Sequence, residues 1–227
     1  MLDEIAEHHG FASNEPFVHA WDFTLPVPFK PDTVILNDAN ITLGSGVHIL
    51  RHGKYGPKLP FLALAGGIEH PTGSVLMRTK KTDINMHGIS QTESLELVRF
   101  FSTEATSWKL PQIDENTLKE TCLFTTEEIA RYLKGETISQ DFRNKLHLVH
   151  ALKVNSSPWV LLYMNVRKET DRQQLQMMAD FISHSASDRI VCLGFHSSPG
   201  IPDENFDPEK LKASYHIHHR GFKKVRQ

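Results

Sequence analysis

The stretch Phe61-Leu62-Ala63-Leu64-Ala65-Gly66-Gly67-Ile68-Glu69-His70-Pro71-Thr72-Gly73 constrains the fold more than any other. Its apolar part is shorter than a typical helix, ends in two glycines and runs into polar and turn-forming residues. That order reads as a buried strand emptying into a loop. In an open parallel sheet such a loop lies at the carboxyl edge, where ligands sit and where glycine lets backbone N–H groups approach a phosphate, carboxylate or ribose.

A chain of 227 residues is long enough for one α/β domain with a sizeable core. Its formal charge of -2 supplies no basic field for gripping nucleic acid, so no nucleic-acid partner is expected. Cys122 and Cys192 each fall in an apolar run and read as small buried hydrophobes rather than a disulfide or metal pair. The acidic start from Met1 to Glu7 lacks the parts of a signal peptide, and no apolar run approaches a bilayer span; a cytoplasmic protein with no membrane partner is expected. Histidine is abundant, with 14 residues. His216 and His218 share a face if extended and so offer a zinc or nickel pair. Structural sites take four ligands, however, and no regularly spaced companions supply the rest, so no metal is expected.

Along the chain, Leu2 to His9 suits a short helix, and the prolines up to Pro31 make residues 1–32 an entry arm. Thr33 to Asn37 reads as a first strand, Asn40 to Gly53 as a capped helix, and the opening stretch as the second strand. Arg78 to Asp83 reads as a flap over the ligand edge. Ser90-Gln91-Thr92-Glu93 has capping-box spacing and opens a helix to about Thr106. Glu120 to Phe124 reads as a third strand, Thr125 to Lys134 and Ser139 to Lys153 as helices, Pro158 to Met164 as a strand, Thr170 to His184 as a helix and Arg189 to Gly194 as the last strand. Residues 33–194 then form the sheet core and 195–227 a C-terminal extension. Strands alternating with helices predict a three-layer Rossmann-like α/β domain: about five mainly parallel strands, helices on both faces.

Val27-Pro28-Phe29-Lys30-Pro31-Asp32-Thr33-Val34-Ile35-Leu36, then a helix, then Ala65 to Thr72, then the Ser90-Gln91-Thr92-Glu93 helix start resemble the YdcF/SanA/ElyC-type family. The soluble YdcF-like branch is the nearer likeness, through its Gly-Gly-Ile-X-His-X-Thr loop. The resemblance spans about Val27 to Phe181. It implies a site at Gly66, Gly67, His70, Thr72 and Glu93, extended by Glu120 and Arg172, and a nucleotide-like ligand or S-adenosylmethionine. In the later segment Phe124-Thr125-Thr126 replaces the family's Ser-Thr-Asn-type run, and Ile129 stands where asparagine is usual.

Each residue has a second reading. Gly66-Gly67 is either a ligand cradle or a plain turn; Glu93 either holds a ribose or serves as general base, or satisfies the N–H of Ser90 as a capping-box residue. His70 either moves a proton near neutral pH or is an ordinary loop residue. Asn37, Asp38 and Asn40 read a base or sugar, or form a turn. Arg172 holds an anion, or is a solvated helix charge. Signatures of common nucleophiles, zinc proteases and the phosphate-binding Gly-Lys-Ser/Thr are missing. The expectation is therefore a small nucleotide-like molecule bound at the sheet's carboxyl edge by Asn37, Asp38, Gly66, Gly67, Thr72, Glu120 and Arg172, with Glu93 and His70 as catalytic groups of a hydrolase or group transferase. The competing classes are a non-catalytic binding or regulatory module and a metal-dependent hydrolase.

Overall fold

The computed structural model describes residues 1–27, 30–51, 58–64, 72–79, 82–85, 97–102, 111–166, 170–195, 200–218 and 221–226. Their architecture is mixed α/β with two sheets. The smaller is wholly antiparallel, in the order β2-β1-β4-β5, built from β1 (Phe17–Val27), β2 (Lys30–Gly44), β4 (Thr72–Arg78) and β5 (Asp83–Asn85). The larger has the order β10-β9-β3-β8-β7-β6, from β3 (Gly46–Arg51), β6 (Val98–Ser102), β7 (Trp159–Met164), β8 (Ile190–Phe195), β9 (Leu211–His218) and β10 (Gly221–Arg226). Every pairing in it is parallel except β9 with β10. The expected single, mainly parallel sheet is thus replaced by a mixed sheet and an antiparallel one. The arm holds α1 (Leu2–His9), β1 and the start of β2, and the C-terminal extension holds β9 and β10.

The strand sequences explain their positions. Trp159-Val160-Leu161-Leu162-Tyr163-Met164 and Ile190-Val191-Cys192-Leu193-Gly194-Phe195 are buried at every residue, as unbroken apolar runs must be when both faces of a sheet are covered. The two-residue period then sends alternate side chains to different cores. His48 and Leu50 of β3 face the antiparallel sheet, where Leu50, Trp159, Leu161, Ile190, Cys192 and Tyr215 pack with Val18, Phe23, Leu36, Leu43 and Met77. Val47 and Ile49 face the other way, with Val160, Leu162 and Leu193, against Leu148, Leu152, Met178 and Ile182 of the helices.

Four expected elements change type. The helix expected from Asn40 to Gly53 does not form over residues 40–51: β2 runs to Gly44 and β3 starts at Gly46, so the chain passes between sheets through Ser45. Ile41-Thr42-Leu43 and Val47-His48-Ile49 alternate with β-branched residues, which outweighs a cap-like Asn40. The apolar run expected as a strand is α2 (Lys58–Leu64), with Pro60 tolerated in its first turn and Ala63 and Leu64 buried. A short apolar run carries too little periodicity to separate the two. Glu120 to Phe124 is also no strand. Glu120 ends α3 (Glu115–Glu120), and Cys122 is exposed in a left-handed turn at φ 55, not buried. Cys192 is buried as expected.

The remaining helices follow their caps. Thr125 and Glu128 form a complete capping box for α4 (Thr126–Leu133), Ser139 caps α5 (Gln140–Val149), and Asp171 caps α6 (Arg172–Ser185). A π-helical turn, His150–Val154, continues α5 toward β7. Ile113, Leu118, Leu123, Ile129, Phe142, Leu146 and Val149 give α3, α4 and α5 a core of their own. Residues 98–102, expected inside a helix, form β6; residues 86–96 and 103–110 lie outside the described residues.

Candidate functional site

The carboxyl ends of the parallel strands define the edge at which a ligand would sit. They are Arg51 of β3, Ser102 of β6, Met164 of β7, Phe195 of β8 and His218 of β9. Residue by residue, the structure distributes the expected site differently. Asn37 and Asp38 lie within β2, exposed on the antiparallel sheet. There Asp38 adopts φ 48 and joins a local network: Thr24 Oγ1 accepts from Asp38 N–H at 3.0 Å, and Asn40 Nδ2 donates to the Asp38 carbonyl at 3.1 Å. Asp22, at φ 50 on β1, donates its N–H to Asn40 Oδ1 at 3.1 Å. These left-handed aspartates accompany register shifts in the β1 pairings, so they serve a bulge rather than a strand-end loop.

Thr72 begins β4 and pairs with Thr24, which places it near Asp38 and in the same sheet. Glu120 lies elsewhere. It accepts from Lys153 Nζ at 2.7 Å and lines a cavity of about 640 Å³ with Cys122, Phe181, His184 and Arg189. Arg189 immediately precedes β8, so this cavity lies toward the amino ends of the strands, away from the ligand edge. Arg172 is the exposed first residue of α6 and follows β7, on the expected side. Gly66, Gly67, His70 and Glu93 lie outside the described residues.

What the edge does present was missed from sequence. Arg51 Nη2 donates to Asp203 Oδ1, and Ser214 Oγ donates to Asp203 Oδ2 at 2.7 Å. One carboxylate, in a 3-10 turn (Asp203–Asn205), therefore ties the last residue of β3 to β9. At the end of β7, Asn144 Nδ2 donates to the Asn165 carbonyl at 2.9 Å and Thr170 Oγ1 donates to Asp141 Oδ1 at 3.0 Å.

Between β3 and α2 the sequence is His52-Gly53-Lys54-Tyr55-Gly56-Pro57, and α2 opens with Lys58-Leu59. Strand, glycine-containing connection, then lysine at a helix start is the context of a phosphate-binding loop. Set on its Gly-x-x-x-x-Gly-Lys-Ser/Thr pattern, Lys58 takes the lysine position. His52 and Pro57 replace the glycines, and Leu59 replaces the hydroxyl residue that would bind magnesium. Directly after β7 the sequence reads Asn165-Val166, with no carboxylate at the strand end.

No family model and no curated protein matches the chain. Among solved structures it is similar to a bacterial Atm1-family ABC exporter with ATP bound, with a TM-score of 0.62 at 14% identity. The match covers 93% of this chain and 39% of the exporter chain, so the present chain spans well under half of that protein's length. At this identity the likeness shows a shared fold. Among the described residues, no helix is long and apolar enough to cross a membrane.

Electrostatically the core beneath the edge is kept neutral. Burial pushes His48 down to about 4, with the Lys212 and Lys224 ammoniums adding to the effect and its hydrogen bond with the Gly44 carbonyl at 2.8 Å opposing it. Burial also raises the Cys192 thiol to about 12, against the opposing hydrogen bond from Trp159 Nε1. Among the described residues no group of three or more histidine, cysteine or acidic side chains is arranged to hold a metal. The backbones of His216 and His218 lie in β9.

Proposed function

We propose that the chain is a nucleotide-binding module that holds its ligand at the carboxyl edge of the larger sheet without magnesium-assisted hydrolysis. The observation that carries this reading is the passage from β3 to α2. A strand buried up to Leu50 and flanked on both sides by parallel strands ends at Arg51, and a helix starts at Lys58. Likeness in fold to a chain known with ATP bound supports it. On this reading the part of the exporter that the chain matches is its ATP-holding part, and Lys58 supplies a point charge to the phosphates.

The same residues argue against turnover. Pro57 has no N–H to give to a phosphate, Leu59 has no hydroxyl for magnesium, and Asn165 is an amide rather than a carboxylate. Adenosine is common to ATP and S-adenosylmethionine, so both are informative probes. Equilibrium dialysis of the full chain with ATP, ADP and S-adenosylmethionine, with and without magnesium, tests the proposal. Saturable ATP binding that survives chelation, weakens in Lys58→Ala and releases no phosphate is expected. Magnesium-dependent phosphate release would make the protein a hydrolase; binding of S-adenosylmethionine alone would favour a group transferase of the YdcF-like kind.

A further inference from the structure

Two residues that follow β7, Asn165 and Thr170, are each bonded to the same helix. Asn144, in α5, has no exposed surface, and its amide is satisfied from both ends: Nδ2 donates to the Asn165 carbonyl at 2.9 Å, and Oδ1 accepts from Gln140 Nε2 at 3.3 Å. Three residues earlier on the same helix, Asp141 Oδ1 accepts from Thr170 Oγ1 at 3.0 Å, and Thr170 is itself buried. Residues three apart share a helix face, so both contacts leave α5 on one side. An apolar residue at position 144 would avoid the desolvation of an amide. What the amide gives instead is a fixed distance between helix and strand end. Lys145 then locks α5 to α4 by donating to Glu128 Oε1 at 2.6 Å.

We propose that Asn144 and Asp141 are positioning residues that set Asn165 and Thr170 at the ligand edge, so that occupancy of that edge and the placement of the α3–α5 unit bias one another. Its ligand arm rests on the nucleotide reading above; its structural arm does not. A packed helix joined to a ligand edge by discrete bonds is the kind of element through which binding and conformation couple reciprocally.

The test uses the full chain with Thr170→Val and Asp141→Ala, which delete the bond, and Thr170→Ser and Asp141→Asn, which retain a donor or acceptor. In the free protein, amide exchange at Asn165, Val166 and Thr170 should accelerate about tenfold in the first pair and stay native in the second, with β7 and α6 unchanged. Unchanged exchange at these residues, or equal acceleration throughout the chain, overturns the positioning role. In titrations with N-methylanthraniloyl-ATP, the first pair should bind about tenfold more weakly and the second pair within about twofold of the wild type. Native affinity despite loosened exchange overturns the coupling. Failure of the wild type to bind the probe sinks the nucleotide reading and with it the coupling, while the exchange arm still decides positioning.

Discussion

Lys145 donates to one oxygen of Glu128 at 2.6 Å while the other oxygen accepts the backbone N–H of Thr125 at 2.8 Å, so a single carboxylate both caps α4 and neutralises an ammonium buried against the Phe124 and Phe142 rings. The two partners differ in exposure, 6% for the lysine side chain and 29% for the glutamate. Removing Glu128 strands a buried charge, whereas removing Lys145 leaves a carboxylate that reaches solvent. Glu128→Ala is expected to cost about 3 kcal/mol in urea unfolding, and Lys145→Met about 1 kcal/mol. The double variant should lose less than the sum; strict additivity would show that the pair is not coupled.

Acid should destabilise the fold through His48. Its folded value of about 4 lies below the ordinary 6.5, so the unfolded chain binds the proton first. The stabilisation is complete above pH 6.5 and is lost as pH falls from there toward 4, amounting to about 3 kcal/mol for this fully buried group. His147, also lowered to about 4 by burial and then by Arg143, acts in the same window and sense. His48→Gln keeps a donor for the Gly44 carbonyl but cannot titrate, so its stability profile over this range should be flatter in denaturant melts. An unaltered slope would contradict the assignment.

Two glycines in left-handed conformations should respond differently to alanine. At Gly73, φ 92, an added Cβ would stand 2.3 Å from the Asp22 carbonyl oxygen, which is backbone in a neighbouring strand. At Gly135, φ 73, it would meet nothing within 4 Å. Gly135→Ala should cost about 1 kcal/mol, the conformational penalty alone, and Gly73→Ala several times that, read from chemical denaturation.

The two thiols should separate in a labelling experiment. Cys122 is exposed, whereas Cys192 is buried with its thiol raised to about 12. Reaction requires an accessible thiolate. Native protein treated with maleimide at pH 7 should carry one label, at Cys122, located by peptide mass analysis; the second should appear only on unfolding.

Burial was legible in the long apolar runs and three helix starts in their caps, whereas residues 98–102, expected to continue a helix opened by the capping box at Ser90, form β6. Trp159 to Met164, Ile190 to Phe195 and the helices capped by Thr125, Ser139 and Asp171 all lie where their side-chain chemistry puts them. Local chemistry failed where tertiary pairing decided. Asn40 resembles a helix cap, yet its side chain serves the bulge at Asp22 and Asp38. Phe61 to Leu64 resembles a strand because a few apolar residues fit either period. The edge itself depends on contacts that no local window contains: Arg51 meets Asp203 across 152 residues of chain. Lys58 carried a signal in its strand-connection-helix context, but the substituted pattern around it concealed that context.

β3 is held by β8 on one side and β9 on the other, both distant in sequence. A growing chain that has not yet made Leu211 to His218 therefore leaves its central strand with an unpaired backbone edge, a template for another chain. Completion of this sheet must wait for residues 211–218, so folding should be slow and dependent on long-range closure. C-terminal truncation should yield aggregates rather than a smaller native protein.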